Sequence, residues 1–196
     1  MRCLKAISLI VVYGMLTLLI RLNACKLVWI YEFGFVISSI IIIGSGQQNI
    51  VNLDTFFIFV VIGYILSPFV TIAVYWITFS KIPHIKFSLS ITWETLLNVV
   101  IEETIWRHLL LLWVERLKLN IYLSILMSFM VLILFIFSHS NINSVRNGID
   151  MFLYSTILLL FAYLLPGANI GLHLGRNVSC ENALEERDEG NKYMRN

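Results

Sequence analysis

Apolar runs of bilayer length follow one another along most of this chain, and they restrict its fold more than any other feature. Hydrophobic residues make up 59% of the 196 residues and charged residues only 13%, a balance far from that of a soluble domain. A helix needs about 20 apolar residues to cross the hydrocarbon core of a bilayer. Six runs come close to this length or exceed it: Ala6–Ile20, Leu27–Ile43, Phe56–Phe79, Leu96–Val114, Ile121–Ser138 and Ile149–Leu165.

Backbone polar groups in lipid must be satisfied within the spanning segment, so these runs predict helices. They are too long and too uniformly apolar for the alternating strands of a membrane barrel. With a shorter segment at about Asn169–Val178, the sequence predicts an all-α, polytopic transmembrane bundle of about six to seven helices. We expect the first run to be a transmembrane helix and not a cleaved signal sequence.

Charge and composition divide the chain and limit its partners. We expect N-terminal transmembrane helices over residues 1–91, a functional core over 92–178 and a solvated polar tail over 179–196. The formal net charge of +2 is too small to indicate nucleic acid, and the lysines and arginines fall in loops, where membrane topology explains them. The three cysteines have neither metal-ligand nor disulfide spacing. The predicted partner is therefore the lipid bilayer.

Three charged residues interrupt the fourth apolar run: Glu102, Glu103 and Arg107. Such groups are expensive in hydrocarbon and are usually functional. Glu103 and Arg107 lie four residues apart and can form an ion pair on one helix face. Glu102 points about 100° away around the helix, where its own helix offers no charged partner. Glu102 is therefore the candidate general base, and Glu103–Arg107 the candidate structural pair.

A partner for Glu102 must come from another helix. Among the four histidines, His139 and His173 are the better candidates, because each lies at the end of an apolar run. Phe135 precedes His139 by one helical turn and is expected to pack beside it. His173 and Asn177 are four apart, so one helix face presents an imidazole and a carboxamide, two donors that can stabilise an oxyanion.

The three motifs occur in a fixed order, each on its own apolar segment. They are Glu-Glu-x-x-x-Arg at 102–107, Phe-x-x-x-His at 135–139 and His-x-x-x-Asn at 173–177. This order resembles that of the CAAX protease and bacteriocin-processing family, also called the CPBP or ABI family. The resemblance covers about Leu96 to Val178 and implies a multi-pass intramembrane endopeptidase of the bacterial plasma membrane.

The resemblance also implies a role for each motif residue. Glu102, paired with His139, would activate a water for attack on a peptide carbonyl, and His173 and Asn177 would stabilise the oxyanion. The implied substrate is a membrane-associated peptide or protein, and the implied biological setting is bacteriocin processing or self-immunity.

Glu103 and Arg107 would hold the first motif helix in place, and no cofactor would be required. A zinc enzyme is the alternative, with Glu102, His139 and His173 as ligands and an open position for water. The three ligands lack His-Glu-x-x-His spacing, so we rank the metal-free glutamate mechanism first.

The chain departs from the family pattern at two places. His108 follows the motif arginine where a glycine is common, and Trp106 precedes it where phenylalanine is usual. The last motif is followed at once by the polar residues from Ser179 onward, so its helix is too short to cross the bilayer alone.

Depth in the membrane raises a separate difficulty. His139 closes one run and His173 follows another, Ile149–Leu165, that is itself nearly as long as a bilayer is thick. The two histidines reach one depth only if the chain breaks near Pro166-Gly167 and if the fifth run extends past His139.

Two other functions fit parts of the pattern. A degenerate family member would bind a peptide partner without cleaving it and act as a membrane immunity or scaffold protein. A small transporter would use the glutamates and histidines as a proton relay, but the sequence contains no inverted repeat that would favour one.

Overall fold

The computed structural model describes residues 2–21, 53–85, 90–139 and 144–178. Within these ranges the chain is helical apart from short connections, and no strand occurs there. The predicted all-α class is therefore confirmed for the described part of the chain. The predicted run Leu27–Ile43 and the predicted polar tail over 179–196 lie outside the described residues.

The residues within those ranges form seven α-helices and one π-helical turn. They are α1 (Arg2–Arg21), α2 (Leu53–Phe79), α3 (Trp93–Glu103), the π-helical turn (Thr104–Leu109), α4 (Leu110–Leu117), α5 (Ile121–Ser138), α6 (Val145–Leu164) and α7 (residues 168–178). The run predicted at Ile121–Ser138 coincides with α5. At the N-terminus of α5, the side chain of Asn120 accepts a hydrogen bond from the Leu123 amide at 2.9 Å and so caps the helix.

Three helices are long and apolar enough to cross a membrane by length and composition: Asp54–Phe79, Ile121–Ser138 and Val145–Leu164. Helix α1 contains a shorter apolar segment, Ile7–Leu18. The predicted run Leu96–Val114 is also helical, but it is divided by the π-helical turn and is not among the three. These helices expose large apolar side chains, among them Val11, Met15, Val61, Ile65, Phe69, Ile125 and Leu160.

The chain divides into two compact units. The first contains Met1–Ile50 and Ile101–Thr156, and the second contains Val51–Val100 and Ile157–Asn196. Within the first unit, α1 packs along α5. Tyr13 and Val131, one from each of these helices, are fully buried, so the core of the first unit lies where these helices meet the π-helical turn and α4.

Within the second unit, α7 packs against α2 through glycines. A Cβ built at Gly171 would collide with the backbone carbonyl of Val60, and one built at Gly63 would collide with the carbonyl of Ala168. Small residues at a helix interface let two backbones approach closely, which is the common arrangement of helices in membranes. Gly167, Gly171 and Gly175 repeat at intervals of four residues, and they carry this contact from the turn before α7 along that helix.

The ends of α5 and α6 test the expectation about depth. Helix α5 ends at Ser138, and His139 follows in extended backbone with φ −84° and ψ 121°. The fifth helix therefore does not extend past His139, which was one of the two conditions for a common depth of the histidines. The expected break near Pro166-Gly167 is present, because α6 ends at Leu164 and Gly167 has a φ of +105°, a conformation that glycine adopts without strain.

Candidate active site

The predicted ion pair between Glu103 and Arg107 is present in the first unit. Arg107 Nη1 lies 3.1 Å from Glu103 Oε1, and the two side chains are 1% and 0% exposed. Both charges are therefore removed from solvent and from lipid. Loss of one partner of such a buried pair strongly destabilises a protein. This is consistent with a structural role for the pair in holding the motif helix.

Arg107 has two further contacts that help to satisfy its charge. Its Cζ atom lies 4.0 Å from the ring centroid of Phe135, a cation–π distance. Its Nη2 donates a hydrogen bond to Ser155 Oγ at 3.2 Å. Because Phe135 belongs to α5 and Ser155 to α6, one guanidinium joins the motif helix to both of these helices.

The first motif lies at a change of helix type. Residues Thr104–Leu109 form a π-helical turn directly after Glu103. Single π-helical turns inside α-helices are rare and occur frequently at functional sites. The hydroxyl of Tyr13, from α1, donates to the carbonyl of Ile105 inside this turn at 2.7 Å. A buried side chain from another helix thus supports the turn.

Glu102 approaches His139 across two helices of the first unit. Glu102 Oε1 lies 4.0 Å from His139 Nε2, and the side chains are 29% and 30% exposed. This distance is too long for a direct hydrogen bond. It is short enough for a single bridging water. The fold therefore brings His139, one of the two candidate partners, close to Glu102.

The ring of His139 is held in a defined orientation. Its Nδ1 lies 3.0 Å from the Phe135 carbonyl and 3.2 Å from Ser138 Oγ. The rings of Phe135 and His139 meet edge to face with centroids 4.5 Å apart, so the predicted packing of Phe135 beside His139 is confirmed. A proton on Nδ1 would be donated to the Phe135 carbonyl, which leaves Nε2 facing Glu102.

His173 and Asn177 belong to α7 in the second unit. His173 is 9% exposed and Asn177 is half-buried. Because successive helix residues turn by about 100°, His173 lies about 200° from Gly171 and from Gly175. The imidazole therefore points away from the glycine face that packs on α2. Next to it, the Leu172 carbonyl accepts a hydrogen bond from Ser67 Oγ at 2.8 Å, which fixes the rotation of α7.

The arrangement of the described side chains does not decide between the zinc mechanism and the metal-free mechanism. In the ranges that the structure describes, no three residues of the histidine, cysteine, aspartate and glutamate types come together as a metal-binding group. Glu102 and His139 form a pair, which by itself provides two of the three protein ligands common in catalytic zinc sites.

Three features of the site were not predicted from the sequence. The π-helical turn has no distinctive residue pattern, and the support from Tyr13 and Ser155 comes from helices distant in sequence. The glycine repeat at 167, 171 and 175 was detectable, because small residues at intervals of four are a known signature of close helix packing.

Comparisons with known proteins add no assignment. No family model, no curated protein and no solved structure matches this chain.

Proposed function

We propose that this protein is an intramembrane endopeptidase in which Glu102 and His139 activate a water to hydrolyse a peptide bond. The observation that carries the proposal is the approach of these two side chains to 4.0 Å, one from the end of α3 and the other from the residue directly after α5. A carboxylate beside a histidine on a buried aromatic support is an arrangement suited to general-base chemistry. The order of the three motifs, which resembles that of the CAAX protease and bacteriocin-processing family, supports a catalytic role for the same two residues.

The distance between Glu102 and His139 suits a bridging water. With the Nδ1 proton directed to the Phe135 carbonyl, Nε2 is an acceptor, and the Glu102 carboxylate is an acceptor as well. A water between them can donate one O–H to each group. Its oxygen lone pairs then remain free, as a nucleophile requires.

The proposed reaction transfers one proton through Glu102. Water oxygen attacks the peptide carbonyl carbon while the Glu102 carboxylate accepts the water proton. The carbonyl oxygen becomes an oxyanion in the tetrahedral intermediate. When the C–N bond breaks, the proton held by Glu102 passes to the leaving nitrogen, so the products are a carboxylic acid and an amine and the Glu102 carboxylate is regenerated.

The oxyanion donors are assigned through the third motif. His173 and Asn177 each carry an N–H that can donate to an oxyanion, and they share one face of α7. This part of the proposal depends on the motif and on the chemistry of the two side chains.

We further propose that the chain crosses the membrane several times as a bundle of six or seven helices. Three helices of sufficient length and apolarity, together with the exposed apolar side chains of α1 and α2, support this arrangement. The protein is expected to stay in the membrane pellet after extraction with alkaline carbonate. Release into the soluble fraction would contradict the proposal.

Cleavage by the purified protein tests the enzymatic part. The detergent-purified wild type is incubated with a pool of peptides and membrane-protein segments, beside Glu102→Gln and the control Glu94→Gln. Glu94 is an exposed glutamate of α3, so its loss should leave cleavage unchanged. Glu102→Gln should lower kcat by at least about 100-fold.

The opposite result would favour a different class of function. If the wild type cleaves nothing and Glu102→Gln keeps the cellular phenotype of the parent, the chain is better explained as a non-catalytic membrane immunity or scaffold protein.

A further inference from the structure

The π-helical turn contains a carbonyl that accepts a hydrogen bond from a side chain of another helix. A π-helical turn has i→i+5 backbone hydrogen bonds, so its hydrogen-bond pattern departs from that of the α-helices on either side. The amide of Leu110, five residues after Ile105, donates to the carbonyl of Arg107. The Tyr13 hydroxyl donates to the Ile105 carbonyl at 2.7 Å, with the Tyr13 side chain 0% exposed. A buried carbonyl left without a donor is costly.

The ring of Tyr13 begins a series of aromatic contacts that ends at His139. Tyr13 and Trp106 have ring centroids 5.3 Å apart, and Trp106 and Phe135 have centroids 5.5 Å apart. Phe135 then contacts the His139 ring and accepts from its Nδ1. Such aromatic pairs favour particular relative orientations. A change in the position of Tyr13 is therefore expected to reach the imidazole.

Tyr13 also contacts the helix that carries Glu102. Ile105 lies three residues after Glu102, inside the turn that begins directly after Glu103. One side chain of α1 thus contacts the glutamate helix through its hydroxyl, and its ring contacts Trp106, which in turn contacts Phe135 near the end of α5. These two contacts converge on the two members of the Glu102–His139 pair.

We infer that Tyr13 is a positioning residue that sets the distance and orientation between Glu102 and His139. It does so through the Ile105 carbonyl and the Trp106 and Phe135 rings. The catalytic consequence rests on the proposed function, whereas the effect on His139 does not. Removing the hydroxyl should loosen the π-helical turn and change the environment of the imidazole.

The test compares Tyr13→Phe with Thr17→Val in the full-length protein. Thr17 is the matched control, because its buried hydroxyl also belongs to α1 and also donates to backbone carbonyls, those of Tyr13 at 2.9 Å and Leu134 at 3.3 Å. Both variants lose one buried hydroxyl, but only Tyr13→Phe removes a donor from the π-helical turn. Thermal unfolding in detergent verifies that the two variants are folded.

The first readout is independent of catalysis. Histidine ring signals are recorded by NMR at one fixed pH on protein with labelled histidines, and the His139 signal is assigned with His139→Gln. Tyr13→Phe should change the chemical shift of His139, because the ring current of Phe135 depends on its geometry. Thr17→Val should leave that signal in place. An unmoved His139 signal in Tyr13→Phe, or an equal change in Thr17→Val, would overturn the inference.

The second readout is the rate of cleavage. A misplacement of about 1 Å can lower a rate by about 100-fold, so Tyr13→Phe should reduce kcat by about 10-fold to 100-fold with little change in KM. Normal kcat in Tyr13→Phe would count against a positioning role. If the parent cleaves nothing, the proposed function fails, and the NMR readout still decides the inference.

A second variant tests the inference in case Tyr13→Phe does not fold. Trp106→Leu interrupts the same aromatic series one member later and leaves the Tyr13 hydroxyl intact. It should change the His139 signal as well. An unchanged signal in Trp106→Leu would show that the series does not reach the imidazole.

Discussion

The guanidinium of Arg107 lies over the face of Phe135, with its Cζ 4.0 Å from the ring centroid. Phe135 also contacts the ring of His139 and accepts from its Nδ1. A charge that belongs to the first motif and a histidine that belongs to the second therefore share one aromatic residue. The two motifs of the first unit are joined by this ring as well as by the approach of Glu102 to His139.

Loss of Arg107 should destabilise the protein strongly. Arg107→Leu leaves the Glu103 carboxylate buried without its cation, and breaking a buried pair costs about 3–5 kcal/mol. Thermal unfolding in detergent measures the loss, with Arg116→Leu as control, since Arg116 is an exposed arginine of α4. The double variant Glu103→Leu/Arg107→Leu should recover part of the stability. A normal midpoint in Arg107→Leu would show that the pair is not structural.

Substitution of glycine by alanine should lower the stability of the protein at Gly171 but not at Gly14. Gly171→Ala places a Cβ against the Val60 carbonyl and should force α7 away from α2, at a cost of about 1–3 kcal/mol. Gly14→Ala is the matched control, because nothing lies within 4 Å of a Cβ built there. The unfolding midpoints of the two variants measure the difference. Equal midpoints would contradict the close contact between α7 and α2.

Replacement of Phe135 should affect stability and cleavage together. Phe135→Leu removes two aromatic contacts, each worth about 0.5–1.5 kcal/mol beyond buried area, and it withdraws the support of His139. Phe129→Leu is the control, because Phe129 is 47% exposed on the same helix. Both are compared by unfolding midpoint and by kcat. Similar behaviour of the two variants would argue against a special part for Phe135.

Removal of metal should separate the two mechanisms. If Glu102 acts as a general base without a metal, cleavage should survive incubation with a chelator followed by dialysis. The measurement is the rate of cleavage before chelation, after it, and after addition of zinc. A loss that zinc restores would contradict the metal-free mechanism and assign the reaction to the zinc alternative.

Local spacing predicted those parts of the site that lie within one helix. Residues four apart on a helix share a face, and this rule predicted the Glu103–Arg107 pair and the packing of Phe135 beside His139. The rule fails where the helix changes type or ends. It predicted neither the π-helical turn after Glu103 nor the end of α5 at Ser138.

The sequence alone determined that this chain forms helices, because long apolar runs must satisfy their own backbone groups, and it determined which residues could carry chemistry. The tertiary structure decided that His139 meets Glu102, because their approach depends on the packing of α1, α5 and the π-helical turn. The contact between Tyr13 and Ile105 joins residues 92 positions apart. No periodicity of a single helix relates such positions, so only the packed structure could establish them as neighbours.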